Sequence, residues 1–389
     1  MLNSVRQGYR VVDTDTHVGP TVDVLYDYGS AELTARRSEL EPYEFPMRDG
    51  VGLSVSPYPY KRAMGEKPAG ADASQGNVPS LKGKIGSNVV EPPEPGVSQR
   101  NAAGRLRDMD REGRDVDLII PGTFSTAATA LDPGLAKELY AAYHRYIVDY
   151  CSADPERLRA TILAPGFDPQ WAAREIATLS SERCVSTVTA VLPEGMPVDD
   201  PDLHPIWRAM EDAALPMLHH SFFYEPPYFP GYRDVWGHVA VARAVAHVWG
   251  AQRLLSYLLL SGLFDEYQGL KIGFAECSGG WLPSWLVRLE GQADYLHPSL
   301  PTRKRTPLEY LHDGRVFCGV ELYEGAATVR SIIEMVGDDA IMYQSDYPHD
   351  QCKFPASADT VLAWHADGLS DSTMRKLMSG NAERYLRLL

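Results

Sequence analysis

Close to its start the sequence carries Asp15-Thr16-His17, two residues after the apolar pair Val11-Val12. In an extended chain, residues two apart face the same side, so this carboxylate and this imidazole can address one point. Three later segments share the pattern. His219-His220 closes residues 215–220 (LPMLHH), Glu276 lies at the end of residues 271–277 (KIGFAEC), and Ser345-Asp346-Tyr347-Pro348-His349 closes the run that begins at Ile341. This mix of carboxylates and imidazoles suits Zn²⁺ or another divalent first-row ion. Each residue taken singly has an ordinary reading. An Asp-x-His can be a capping pair, His219 or His220 a core histidine, and Asp346 a turn or cap residue. Glu276 can accept backbone hydrogen bonds from the Gly279-Gly280 turn. What points to chemistry is their shared position at the ends of apolar runs, where an ionisable group is costly unless paired or bound to a cation.

The runs that must position these groups number eight: residues 11–15, 117–121, 160–165, 186–192, 215–220, 271–277, 315–321 and 341–346. Between them, segments such as 133–151, 171–179 and 326–336 repeat apolar residues at helical spacing. Short continuous apolar strands separated by helices make a parallel sheet buried on both faces. Eight such units predict a closed (β/α)₈ TIM barrel of the α/β class, and no GxGxxG follows the first strand to suggest an open dinucleotide-binding sheet. In a barrel the C-terminal strand ends surround the active site. Residues 20–105 break the pattern, with Pro, Gly and Ser in EPPEPGVSQ, SPYPYK and EKPAGADASQGNVPS and poor periodicity. They read as a long insertion after the first strand, a lid over part of the mouth. The chain, 1–389, reads as one domain.

Composition narrows the class. A chain of 389 residues, 44% hydrophobic and 23% charged, can bury one large core. A net charge of −15 and the lack of basic runs exclude a nucleic-acid surface. The long apolar stretch 239–263 is broken by Arg243, His247, Gln252 and Arg253, so it predicts an amphipathic helix and no membrane partner. Five scattered cysteines without a CxxC pair argue against a disulfide framework or a thiolate metal site. The N-terminal residues lack the apolar core of a signal peptide, and the expected location is cytoplasmic.

With Asp15-Thr16-His17, residues 107–110 (RDMD), 151–158 (CSADPERL), 215–220, 270–281 (LKIGFAECSGGW) and 341–349 (IMYQSDYPH), the sequence resembles a known family. These are the amidohydrolase-related proteins typified by aminocarboxymuconate-semialdehyde decarboxylase, and the resemblance covers residues 9–17 and 105–389. It implies a (β/α)₈ barrel holding one divalent ion, usually Zn²⁺ and sometimes Mn²⁺, in a chain that forms a homodimer. The implied metal ligands are Asp15, His17, His220 and Asp346, the spacing after Leu-Pro favouring His220 over His219. Two departures stand out. The first ligand position is Asp15, where the best-known decarboxylase has histidine, and Glu276 stands in place of a sixth-strand histidine.

A bound Zn²⁺ lowers the pKa of its water toward about 7. Two reactions are open to such a site: non-oxidative decarboxylation of an aromatic or enoic acid by a carboxy-lyase, or hydrolysis or cyclisation at a carbonyl. Asp346, Glu276 and His220 are the expected catalytic groups. A small-molecule substrate would meet residues 221–233 (SFFYEPPYFPGYR), with Phe222 and Tyr224 for a flat ring and Arg233 for a carboxylate. Trp281 and His349 are further substrate-binding candidates, and His297 a further pocket group; His312 and His365 are expected at the surface. A non-catalytic barrel with a structural metal is disfavoured, because structural zinc sites are usually closed by four thiolate or imidazole ligands.

Overall fold

The computed structural model describes residues 8–47, 50–53, 86–122, 124–125, 127, 131–193, 195–220 and 239–388. Ten strands are present among them: β1 (Val12–His17), β2 (Glu44–Met47), β3 (Gly50–Leu53), β4 (Val116–Ile120), β5 (Leu158–Pro165), β6 (Val185–Val191), β7 (Met217–His220), β8 (Ile272–Ala275), β9 (Val316–Val320) and β10 (Ile341–Tyr343). Eight of them form one parallel sheet in the order β1-β4-β5-β6-β7-β8-β9-β10, each overlapping one of the eight apolar runs. The crossovers are made by α1 (Ala102–Glu112), α2 (Pro133–Cys151), α3 (Pro169–Leu179), α4 (His204–Ala213), α5 (Val239–Leu260), α6 (Leu282–Tyr295) and α7 (Gly325–Val336). This is the (β/α)₈ barrel, its strands buried along their whole length except for Arg159 on β5.

Local chemistry sets the helix limits. Asp132 and Asp168 accept N–H bonds from the first turns of α2 and α3, each followed by proline at the first helical position. Helix α1 stops at Gly113, which takes the left-handed conformation (φ 77°) and donates its N–H to Met109.

The seam between β10 and β1 is joined differently from the rest. Asp346 donates its N–H to the Asp15 carbonyl (2.9 Å), and His17 donates its own to the Tyr347 carbonyl (2.6 Å). Thr14 Oγ1 donates to the Tyr343 carbonyl (2.8 Å). The Asp13 carboxylate receives both the backbone N–H of Ser345 (3.0 Å) and its hydroxyl (2.5 Å). Beneath the seam lies a buried ionic layer. Arg114 Nε bonds Asp117 (2.8 Å) and its guanidinium also grips Glu112, while Arg105 bonds Asp117 (3.1 Å) and the His17 carbonyl (2.9 Å). The Arg114 guanidinium lies 4.2 Å from the Tyr347 ring centroid.

Two expectations need correction. The last apolar run was expected to extend as strand to Asp346, but β10 ends at Tyr343. Asp346 has a left-handed backbone (φ 63°), which cannot continue a ladder. Residues 20–105 are also not featureless. Their described part contains helical turns at Val22–Asp27, Ala31–Ala35 and Arg37–Leu40 and the antiparallel pair β2-β3. Segments of four to six residues are too short to display a 3.6-residue period, so only their caps, Thr21 and Ser30, mark them locally.

Arg114→Met should lower the unfolding free energy by about 3–5 kcal/mol, because it leaves Asp117 and Glu112 buried without their shared cation. Urea unfolding followed by circular dichroism reads this directly; a loss below about 1 kcal/mol would mean the layer is not held by charge.

Candidate metal centre

Strand β1 delivers Asp15 and His17 to the mouth from one side by its two-residue alternation. Strand β7 ends on His220, and the turn after β8 supplies Glu276. The seam hydrogen bond from Asp346 to Asp15 brings the last carboxylate against the first. His17 Nε2 lies 3.0 Å from Asp15 Oδ1 and 3.2 Å from Asp346 Oδ1. His220 Nε2 lies 3.5 Å from Asp15 Oδ1 and 3.4 Å from Glu276 Oε2. The His17 ring meets His220 edge-on at 4.8 Å and stacks on His349 at 4.2 Å. All but His349 are buried.

The electrostatics of the cluster are self-consistent. Burial alone would raise the Asp15 carboxyl, but His220 and His17 beside it hold it below the usual carboxylate range. Burial would likewise raise Asp346, and His349 and His17 instead hold it far below. Burial would lower His17, yet its two carboxylate neighbours raise it to about 10. The field at this point therefore draws positive charge strongly. Neither carboxylate oxygen of Asp15 and neither ring nitrogen of His17 completes a well-aligned hydrogen bond, although all four atoms are buried. Ligand atoms of Asp15, His17 and His220 lie within 4.8 Å of one another, as do those of His17, Asp346 and His349. Buried oxygens and nitrogens that converge on one point without bonding each other in line fit a divalent cation.

Other expected residues are placed as follows. His219 points away from His220, its ring 5.7 Å from Phe274, and burial pushes its pKa well below the usual value. Trp281 is buried, packs edge-on against Phe274 (5.4 Å) and donates its indole N–H to the Ser278 carbonyl (2.9 Å). His349 is half-exposed at the mouth with Nδ1 2.6 Å from Asp346 Oδ1. Phe222, Tyr224 and Arg233 lie outside the described residues. His297, expected in the pocket, is instead exposed at the C-terminal end of α6, bonded to the Asp294 carbonyl (2.9 Å). That helix has by then carried the chain back to the opposite end of the barrel.

Three residues of the site were not anticipated. Gln351 donates from one amide nitrogen to Asp346 (3.0 Å) and to Glu276 (3.1 Å). Arg243, on α5, forms a close ion pair with Glu276. In the sequence it is visible only as a break in an apolar stretch, and nothing near Gln351 announces its reach. Glu321, just beyond β9, is buried; burial and then the negative charge of Glu276, Asp15 and Asp346 push its carboxyl far up. The strand-end rule applied to residues 315–321 would have found it.

The amidohydrolase family model matches residues 88–388, well over half of the chain. A search of curated proteins returns no match. Among solved structures, the chain resembles the 5-carboxyvanillate decarboxylase of Sphingomonas paucimobilis (22% identity, 98% of this chain and 100% of that one, TM-score 0.66). It also resembles the same enzyme from Novosphingobium aromaticivorans, solved with manganese and 4-hydroxy-3-methoxy-5-nitrobenzoic acid (19%, 98% and 97%, 0.67). A third is the 2,6-dihydroxybenzoate decarboxylase of Rhizobium (21%, 73% and 87%, 0.58). At such identities these likenesses speak for the fold, and the family match for descent: the chain belongs to the amidohydrolase family.

Proposed function

We propose that this chain is a metal-dependent carboxy-lyase that removes CO₂, without oxidation, from an aromatic or enoic carboxylic acid. Asp15, His17, His220 and Asp346 hold its ion, Zn²⁺ or Mn²⁺. The observation that carries this reading is the convergence of Asp15, His17 and His220 within 4.8 Å at the barrel mouth, with Asp346 and Glu276 against them. The manganese in the Novosphingobium structure supports a divalent ion of this kind. When bound, the ion supplies positive charge that grips a substrate oxygen and stabilises negative charge as the C–C bond breaks.

The reaction exchanges a C–COO⁻ bond for C–H: the bonding pair stays on carbon as CO₂ leaves, and a proton must reach that carbon. Asp346 and Glu276 are the proton carriers. Asp346 Oδ1 shares a hydrogen bond with His349 Nδ1, which connects it to the half-exposed mouth. Gln351 spans Asp346 Oδ2 and Glu276 Oε1 and so sets the spacing of the two carboxylates. With Arg243 also on Glu276 Oε1, Oε2 faces the His220 ring. His349 and Trp281 edge the substrate space, and the same reading assigns Phe222, Tyr224 and Arg233 to it. One domain spans 1–389, with residues 20–105 covering part of the mouth. In support, Asn88, Val90 and Glu91 bond the backbone of residues 350–354, the loop that carries Gln351. A homodimer and a cytoplasmic location complete the reading; among the described residues no helix is long and apolar enough to cross a membrane. Glu276, standing where the decarboxylase that typifies the resembled family has histidine, favours a second reading, hydrolysis or cyclisation at a carbonyl.

Purified protein should carry about one equivalent of zinc or manganese by elemental analysis, and His220→Ala should lose it; a metal-free protein that also resists reconstitution sinks the ligand assignment. Incubated with a panel of aromatic acids, the wild type should release CO₂ and Asp346→Asn should not, while both keep the same circular dichroism. Release of a hydrolysis product with no CO₂ would select the second reading. Glu276→Gln should cut turnover by about 10²–10⁴-fold with little change in metal content. Metal lost in step with activity would make Glu276 a ligand instead.

A further inference from the structure

Glu276 and Ser278 both have left-handed backbones (φ 49° and 59°) in the turn that follows β8. Conformations that L residues rarely adopt persist only where the surroundings over-determine them. The surroundings here are unusually complete. The Ser278 carbonyl receives the Trp281 indole N–H (2.9 Å) and the Cys318 thiol (3.1 Å), and the Ser278 hydroxyl bonds the Tyr323 hydroxyl (2.7 Å). The N–H of Glu276 itself reaches the Gln344 side-chain oxygen (3.3 Å), a reach that needs Gly319, since a Cβ there would fall 1.9 Å from that oxygen.

The group with most bonds to this turn comes from the neighbouring loop. The Glu324 carboxylate accepts the N–H of Gly279 with both oxygens (2.9 and 3.1 Å), that of Gly280 (2.8 Å) and that of Glu321 (2.8 Å). Glu324 occupies the N-cap position of α7 but makes no side-chain cap to its own helix. A short polar residue at that position ordinarily spends its side chain on the helix's first N–H groups. This one is spent sideways, on the loop that presents Glu276. The glycine pair is required by the same packing: a Cβ on Gly280 would meet Glu324 at 3.2 Å, and one on Gly279 would meet Val320 at 2.9 Å.

We infer that Glu324 is a positioning residue for catalysis: its carboxylate gathers three backbone N–H groups, ties the loops after β8 and β9 together, and fixes Glu276 in the orientation that its proton transfer requires. The inference rests on the role of Glu276 proposed above. A carboxylate can accept all of these bonds at once, whereas an amide offers one acceptor oxygen and turns two N–H donors toward other donors. Glu324→Gln therefore keeps size and shape while undoing the clamp, so the variant folds even where Glu324→Ala does not.

The test uses the metal-loaded wild type, Glu324→Gln, Glu276→Gln and the double variant. It reads metal content, kcat and KM for CO₂ release from whichever aromatic acid the wild type turns over, and amide hydrogen exchange. For Glu324→Gln the expected result is unchanged metal content, KM within about threefold, and kcat lower by about 10- to 100-fold, the scale of a small misplacement of a reacting group. Exchange should quicken in peptides covering 276–281 while those covering 341–346 keep the wild-type rate. Because Glu324 acts through Glu276, the double variant should be no slower than Glu276→Gln alone. Losses that multiply in the double variant, or wild-type kcat in Glu324→Gln, would overturn the inference. If the wild type releases no CO₂ from any acid, the decarboxylase reading fails, and wild-type exchange at 276–281 in Glu324→Gln would then overturn the clamp by itself.

Discussion

The structure depends on how the last strand of the barrel is fastened to the first. Seven of the eight strand junctions are parallel ladders, in which the hydrogen bonds follow from backbone geometry alone. The eighth, between β10 and β1, is made by a handful of specific bonds: Asp13 to Ser345, Thr14 to Tyr343, Asp346 to Asp15 and His17 to Tyr347. Those four contacts close the barrel and assemble the site in the same act, since Asp15, His17 and Asp346 make seam bonds with their backbone while their side chains meet at the mouth. Asp13 and Asp15 are two apart on one strand. The first anchors Ser345, and the second thereby meets Asp346. The buried Arg114 and Arg105 layer underneath gives the seam a rigid floor, with Tyr347 lying against both guanidinium groups.

Closing the barrel this way gathers negative charge. Asp15, Asp346, Glu276 and Glu321 are all buried near one another, which no protein interior tolerates without compensation. Each receives a different answer. His17 and His220 serve Asp15, His349 and Gln351 serve Asp346, and Arg243 with Gln351 serves Glu276. Glu321 is held toward its neutral form by burial and then by the same field. The imbalance that remains is centred where Asp15 and His17 leave buried atoms without aligned bonds, and a divalent cation there would balance the charge and take up those lone pairs together.

Most of the barrel was legible because a parallel strand buried on both faces must be apolar throughout, and eight such runs stand out against amphipathic helices. The ligand candidates were legible for the same reason reversed: Asp15, His17, His220, Glu276 and Asp346 are ionisable groups at the ends of runs that otherwise exclude charge. What stayed hidden were the residues that reach the site from outside a strand end. Arg243 comes from within a helix, Gln351 from a loop five residues past Asp346, and Glu324 from an N-cap position that normally serves its own helix. Short turns inside residues 20–105 were missed because four to six residues cannot establish a period.

The sequence by itself thus determined the architecture, the strand that each ionisable group ends or follows, and the side of β1 on which Asp15 and His17 both lie, since alternation and burial are local properties of the chain. Tertiary structure alone decided that Asp346 meets Asp15, that Glu276 is presented from a left-handed turn, and that Glu324 holds that turn from the next loop. These are contacts between segments tens to hundreds of residues apart. They depend on how the barrel closes on itself, and no periodicity along the chain encodes that closure.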